Sequence, residues 1–296
     1  QKTAYEIMPS LVGSEMCIRD RAAEAAGVPT LREFFDSKLA ERIRSQYGPA
    51  SVIHANNVLA HVPDLNGFVR GLRILLSDDG AAIIEVPYLR DLIEKNEFDT
   101  IYHEHLCYFS VSALNQLFRR NGLYLNDLKK IPIHGGSLRL FVGKKPEQRE
   151  EVSKILREEE AIGMTEINYY ADFGERVRAV KEDLLTYLRA LKNEGKRIAA
   201  YGAAAKGATL INYVGIDRSI IDFVVDRNIH KQGKYMPGKH IPIEPPEKLL
   251  SEMPDYVLLL AWNFADEIME QQKEYIDRGG KFILPVPQVR TVPELV

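Results

Sequence analysis

The sequence predicts an α/β chain of two doubly wound units with a helical segment between them. Three observations predict it. Short apolar runs that end in polar residues or glycine alternate with amphipathic stretches up to about residue 145. The same alternation resumes at Lys196. Residues 146–195, between the two, are rich in Glu, Lys and Arg and carry helical apolar spacing. Strands that alternate with helices build parallel sheets covered by helices, and 296 residues suffice for about two domains.

Residues 1–21 stand apart. They have no initiating Met and neither a helical nor a strand period, and the stretch from Ser10 to Arg21 looks like translated sequencing-adapter read-through. The expectation is a non-native or disordered leader, with the true beginning of the protein upstream. Regular text starts at Ala22. Thr30 is expected to N-cap a helix, with Glu33 placed for a capping box. Ser51–Asn56 reads as a buried parallel strand. Leu65–Leu76 is helical and is stopped by Ser77–Gly80; Ala81–Val86 is the second strand, closed by Pro87. Helices near Tyr88–Lys95 and over Val111–Asn121 follow, then an antiparallel strand pair, Leu123–Ile131 and Ser137–Val142, around His134-Gly135-Gly136. Gly163 divides the connecting segment into two helices. In the second unit, Arg197–Tyr201, Ile220–Val225, Tyr256–Leu260 and Lys281–Leu284 are strands. Ala208–Tyr213, Lys248–Glu252 and Ala265–Arg278 are helices.

Composition narrows the function. Thirty-nine basic and 42 acidic residues give a formal charge of -3, with no basic field for nucleic acid or an anionic membrane. No apolar run approaches the ~20 residues needed to span a bilayer. Cys17 and Cys107 are the only cysteines. That excludes a disulfide framework or a four-cysteine zinc site within the chain and makes a reducing, cytoplasmic setting the default.

Three clusters could carry chemistry. Tyr102-His103-Glu104-His105 is the densest. Histidine exchanges protons near neutrality and a carboxylate neighbour raises its basicity; a solvated loop or an opportunistic metal site is the competing reading. The second is His54 to Asn57 with His61, at the C-terminal end of a parallel strand, where open α/β sheets bind ligands. A helical turn would put Asn57 and His61 on one face; loop capping is the alternative. The third is Gly202 to Gly207 with Lys206, a strand–glycine–helix passage suited to an anion. It is neither a Walker A loop nor a full GxGxxG. The following stretch adds Arg227, Lys231 and Tyr235, as a diphosphate neighbourhood or simply a polar loop.

Taken together, the motifs resemble a known family. Asn56 to Asp64, Phe98 to Ser110, His134 to Arg139, Tyr201 to Gly207 and Val225 to Ile243 occur in order. The set is similar to the S-adenosylmethionine-dependent C-methyltransferases that methylate C3 of 4-keto deoxysugar nucleotides. The resemblance implies two Rossmann-like three-layer units, the first incomplete: a partial methyltransferase domain over 22–145, a helical connector over 146–195 and a C-terminal Rossmann-like domain over 196–296. It implies zinc only in an N-terminal domain that this chain lacks. The first strand and glycine loop of the methyltransferase sheet are also missing, so no residue here is matched to S-adenosylmethionine, and weak binding of that cofactor is expected.

By the same resemblance His105 is the general base, and Tyr102, Glu104, Asn57 and His61 line the sugar site. His103 is expected to point away, if the stretch is extended. Gly202, Lys206, Gly207, Arg227, Lys231 and Tyr235 would hold the nucleoside diphosphate. Two rival readings are a non-catalytic nucleotide-binding protein, using the first unit as scaffold, and methylation at oxygen or nitrogen. The latter asks less of a base, and the Tyr-His-Glu-His cluster argues against it.

Overall fold

The computed structural model describes residues 25–27, 30–31, 33–133 and 135–293. The expectations for the leader, Cys17 and His134 lie outside them. The first unit runs α1 (Ser37–Tyr47), β1 (Ala50–Asn56), α2 (Leu65–Leu75), β2 (Leu76–Pro87), α3 (Leu89–Glu94), α4 (Val111–Arg120), β3 (Tyr124–Ile131) and β4 (Ser137–Gly143). Its sheet has the order β1-β2-β4-β3, with β1 and β2 parallel and the β2–β4 and β4–β3 pairs antiparallel. Ala82, Ile84 and Val86 of β2 are fully buried and share one core with Phe68, Val69 and Leu72 of α2 and Val111, Leu114 and Phe118 of α4.

The strand expected to be buried over Ser51–Asn56 is the edge strand β1, with Ala55 its one buried residue, and two further expectations fail here for local reasons. The helix at Thr30 does not form. The helix starts at Ser37, capped by Asp36, whose Oδ1 accepts the Leu39 amide at 2.8 Å. Phe35 instead anchors the incoming chain edge-on against Phe68, ring centroids 5.4 Å apart. Ser77–Gly80 does not separate helix from strand but is absorbed into β2, where the register shifts between the Ala50–Leu76 and Val52–Ala81 pairs. Gly80 allows this close approach: a Cβ there would lie 2.8 Å from the Ala50 carbonyl.

The connecting helices are α5 (Glu150–Ala161) and α6 (Phe173–Asn193), with Gly163 between them at a φ of 75°. Val152 and Ile155 of α5 join the first core, whereas Val177, Val180, Leu184 and Leu188 of α6 join the second. The connector is thus shared between the units.

The second unit comprises β5 (Ile198–Tyr201), α7 (Ala205–Val214), β6 (Val224–Val225), β7 (Ile243–Glu244), α8 (Lys248–Glu252), β8 (Tyr256–Leu259), α9 (Ala265–Gln271), α10 (Lys273–Asp277), β9 (Lys281–Leu284) and β10 (Arg290–Val292). The strand order is β10-β9-β8-β5-β6-β7, parallel except for β10. Alternate residues of β5 serve the two faces. Ile198 and Ala200 pack with α6 and α7; Ala199 and Tyr201 pack with α8, α9 and α10. This is a three-layer sandwich. The strand expected over Ile220–Val225 shrinks to Val224–Val225, and the helix expected over Ala265–Arg278 breaks at Gln272. No helix among the described residues is long and apolar enough to cross a membrane.

From β5 the chain runs outward to β6 and β7, then returns to β8 on the other side. Ligands of open α/β sheets bind at such a switch point, outside the carboxyl ends of the strands. Here that crevice lies between Gly202 and Ala261. Gly202 has a φ of 102°, and a Cβ on it would come 2.7 Å from the Ala261 Cβ, so glycine is required.

Candidate active site

Three segments meet beyond the carboxyl ends of β1 and β2. After β1 the chain passes through Asn57, in the left-handed region with φ 55°, into a 3₁₀ turn over Leu59–His61. After β2 and α3, a second 3₁₀ turn covers Phe98–Thr100. Residues 102–105 then form a turn rather than the extended stretch expected, closed by the His105 amide donating to the Tyr102 carbonyl at 3.0 Å. The turn brings positions i and i+3 together, so Tyr102 and His105 meet, ring centroids 4.2 Å apart. His103 is exposed, and Glu104 faces its Nε2 at 4.0 Å. The Leu106 amide donates to the Ala60 carbonyl at 2.8 Å, tying this turn to the one carrying His61. The His61 and His105 rings accordingly lie edge to face, 4.9 Å apart.

The hydrogen bonds fix the chemistry of His105. Its Nδ1 is 2.9 Å from the Thr100 carbonyl oxygen, which can only accept, so Nδ1 carries the hydrogen. The Nε2 lone pair therefore faces the Tyr102 hydroxyl, which donates to it at 3.0 Å. Burial pushes the Tyr102 phenol up to about 12, so it stays protonated and serves as a donor. The result is an imidazole in one defined tautomer, with its basic nitrogen beside a phenol. Behind the ring, Tyr88, Leu92 and Tyr108 help line a cavity of about 10 Å³, room for roughly one water. Asn57 and His61 are not on one helical face, because the left-handed residue turns the chain between them. The buried Asn57 Oδ1 has no partner among the described residues.

The third predicted cluster lies in the second unit. The helix α7 begins without a side-chain cap. One amide of the glycine passage is already taken: Ala203 N–H donates to Asp226 Oδ2 at 2.7 Å. Lys231 donates to the Ala203 carbonyl at 2.9 Å and Arg227 lies 3.6 Å from Glu267, while Tyr235 is exposed. Gly207 sits where a Cβ would come 2.9 Å from both the Gly202 carbonyl and the Leu260 Cβ. Lys206 turns toward the first unit, its ammonium 4.1 Å from the Trp262 ring centroid. Burial lowers its pKa to about 8, against the opposing pull of Asp99 and Glu97.

Sequence reasoning assigned no role to this junction. Trp262 Nε1 donates to Asp99 Oδ2 at 2.7 Å, and Phe98 is buried in the second unit's core, its ring centroid 5.1 Å from that of Tyr213. Asp99 and Glu97 are buried, and Asp99 Oδ1 and Glu97 Oε1 lack partners among the described residues. Burial is the main reason that Glu97 rises from 4.5 to about 7 and Asp99 from 3.8 to about 6. A lone tryptophan and an acidic residue inside the Phe98–Ser110 motif were the only signals available.

A stability prediction follows. The folded chain holds the Glu97 proton more tightly than the unfolded chain, so this site stabilises the fold fully below about pH 4.5. The contribution is lost as pH rises through about 7. At roughly 1.4 kcal/mol per pH unit, the loss is about 3 kcal/mol. Urea titrations between these limits should show that decline in the wild type, with Asp99 adding in the same direction. In Glu97→Gln, neutral at every pH, the decline should be much shallower; an undiminished slope would refute the assignment.

The family described as C-methyltransferase C-terminal domain matches residues 132–287, and the family described as methyltransferase domain matches residues 3–128. The chain is similar to the C-methyltransferase NovU of Streptomyces niveus, with 38% identity over 273 residues. That similarity covers 91% of this chain and 65% of the relative's length. Among solved structures, it is similar to LepI in complex with SAM, at 14% identity and a TM-score of 0.28 over 33% of this chain and 27% of that one. It is also similar to a structure titled for conversion of a disulfide bond into a thioacetal group during echinomycin biosynthesis, at 13% identity and a TM-score of 0.31 over 49% and 68%. The family assignment rests on the sequence matches and not on these two likenesses.

Proposed function

The chain belongs to the C-methyltransferase family, and on that premise we propose that it acts in C-methylation of a nucleoside-diphosphate 4-keto deoxysugar, with His105 as the base. One observation carries the reading: the His105 tautomer is fixed with its Nε2 lone pair beside a protonated phenol. A carbon next to a ketone becomes nucleophilic only when it loses a proton. When the Tyr102 hydroxyl turns from Nε2 to the substrate carbonyl, His105 Nε2 takes that proton from C3; the C–H electron pair passes into the enolate, and Tyr102 with His61 or Asn57 supplies donors for the developing oxyanion. Glu104 lines the same side of the sugar. S-adenosylmethionine supplies the electrophilic methyl. No residue of this chain is assigned to that cofactor. The described residues also contain no group of three or more His, Cys, Asp or Glu able to hold a metal.

The diphosphate is placed against the switch-point crevice of the second unit. The uncapped α7 N-terminus offers amides there, and Gly202 and Gly207 permit close backbone approach. Lys206, Arg227, Lys231 and Tyr235 are the side chains assigned to it. The test is exchange of the C3 hydrogen of a nucleoside-diphosphate 4-keto deoxysugar for solvent deuterium, followed by NMR without methyl donor. The chain should accelerate that exchange above the buffer rate. Tight binding without exchange would instead favour the non-catalytic nucleotide-binding reading.

A further inference from the structure

We propose that Asp99 is a positioning residue for His105 and that Trp262, in the second unit, holds it in place. The inference rests on the reading of His105 as base. The path is short and continuous. Trp262 Nε1–H donates to Asp99 Oδ2 at 2.7 Å across the junction. Asp99 is the middle residue of the 3₁₀ turn Phe98–Thr100. The next carbonyl, that of Thr100, receives the His105 Nδ1 hydrogen at 2.9 Å, and the Tyr108 hydroxyl approaches the same oxygen at 3.5 Å. The orientation of one peptide group therefore decides which imidazole nitrogen carries the hydrogen.

The turn has few other anchors within its own unit. Its amide and hydroxyl bonds run back along the chain: Phe98 N donates to the Asn96 carbonyl at 2.8 Å, and Thr100 N and Oγ1 both donate to the Glu97 carbonyl, at 3.1 and 2.7 Å. The side chains of Phe98 and Asp99 are anchored in the second unit, where Phe98 enters the core and Asp99 meets Trp262. Trp262 occupies the 3₁₀ turn directly after Ala261, at the switch-point crevice, and its ring also covers the Lys206 ammonium. The base in one unit is thus set by a residue that borders the crevice of the other. Side chains that orient a reacting group through hydrogen bonds act this way around metal and acid–base centres.

The experiment reads the tautomer directly. The full chain, labelled with ¹⁵N-histidine, is examined by long-range ¹H–¹⁵N correlation under conditions where the imidazoles are neutral, with His105 assigned by its loss in His105→Gln. The wild type should show His105 in the Nδ1–H form alone. Trp262→Phe keeps an aromatic ring over Lys206 but removes the donor, and should convert His105 to a mixture of tautomers. Asp99→Ala should do the same from the other end of the bond, which keeps the test open should Trp262→Phe not fold. Asp99→Asn retains an acceptor for Trp262 and should restore the single tautomer. In folded Trp262→Phe the C3 exchange rate should fall about 10²-fold, the cost of misplacing a reacting group by about 1 Å, with little change in KM. An unchanged Nδ1–H form in folded Trp262→Phe or Asp99→Ala would overturn the proposal. Absence of exchange in the wild type would instead refute His105 as base, while the tautomer measurement would still decide whether Trp262 and Asp99 position it.

Discussion

Replacing Glu159 with alanine should unfold much of the first unit's margin of stability, by about 3–5 kcal/mol. Glu159 belongs to α5, yet it is fully buried against the first unit. It accepts from the Tyr88 hydroxyl at 2.9 Å, the Val111 amide at 2.7 Å, the Ser112 amide at 2.8 Å and the Ser112 hydroxyl at 2.6 Å. Two of these donors open helix α4, where amides have no intrahelical acceptor and a carboxylate is favoured by the helix dipole. Alanine strands the Tyr88 hydroxyl and the Val111 amide in the interior; an unmade buried hydrogen bond costs about 1–3 kcal/mol for each group. Ser112 is nearer the surface and recovers part of its loss from water. Glu159→Gln keeps the shape and one acceptor but turns two N–H donors toward existing donors, so it should lie between. Urea unfolding of the three proteins at neutral pH checks this order. A loss below about 1 kcal/mol in Glu159→Ala would show that water replaces the carboxylate.

Periodicity made most of the fold legible. The strand pair β3–β4, the helix α4, the division of the connector at Gly163 and the β5–Gly202–α7 passage follow from local pattern alone. Local pattern failed where a tertiary contact decided. Thr30 carries a capping signature, but Phe35 is claimed by Phe68 and the start moves to Asp36. Residues 220–223 read as strand, yet the Ile220 and Ile221 amides turn back to the Asp217 carbonyl, and only Val224 and Val225 form strand between β5 and β7. The site was legible as a list of residue types and not as a geometry. Tyr102 and His105 are brought together by a turn, where alternation along a strand had been expected. The Thr100 carbonyl that fixes the tautomer is a backbone group, to which side-chain patterns are blind. The Asp99–Trp262 contact joins residues 163 positions apart, and neither has a local partner that would announce it.

His105→Ala should lower C3 hydrogen exchange by roughly 10²–10⁴-fold, the usual contribution of a positioned general base. His61 is the competing candidate, since its ring lies 4.9 Å from that of His105 at the same edge of the sheet. The hydrogen bonds separate them. His105 donates through Nδ1 to a backbone carbonyl, so its Nε2 lone pair is held ready beside the Tyr102 hydroxyl. His61 packs edge to face against His105, and in the proposed mechanism it serves the substrate as a donor. His61→Ala should therefore slow methylation while retaining measurable exchange, and His105→Ala should remove exchange while substrate binding persists. Binding is followed separately by calorimetry, so that loss of affinity is not mistaken for loss of the base. Exchange reports the base only if the proton on Nε2 equilibrates with solvent before it returns to C3, and deuterium incorporation by the wild type without methyl donor establishes that. Should exchange survive in His105→Ala and vanish in His61→Ala, the two roles are reversed: proton removal belongs to His61, and the fixed tautomer of His105 serves to hold Tyr102 as a donor to the oxyanion.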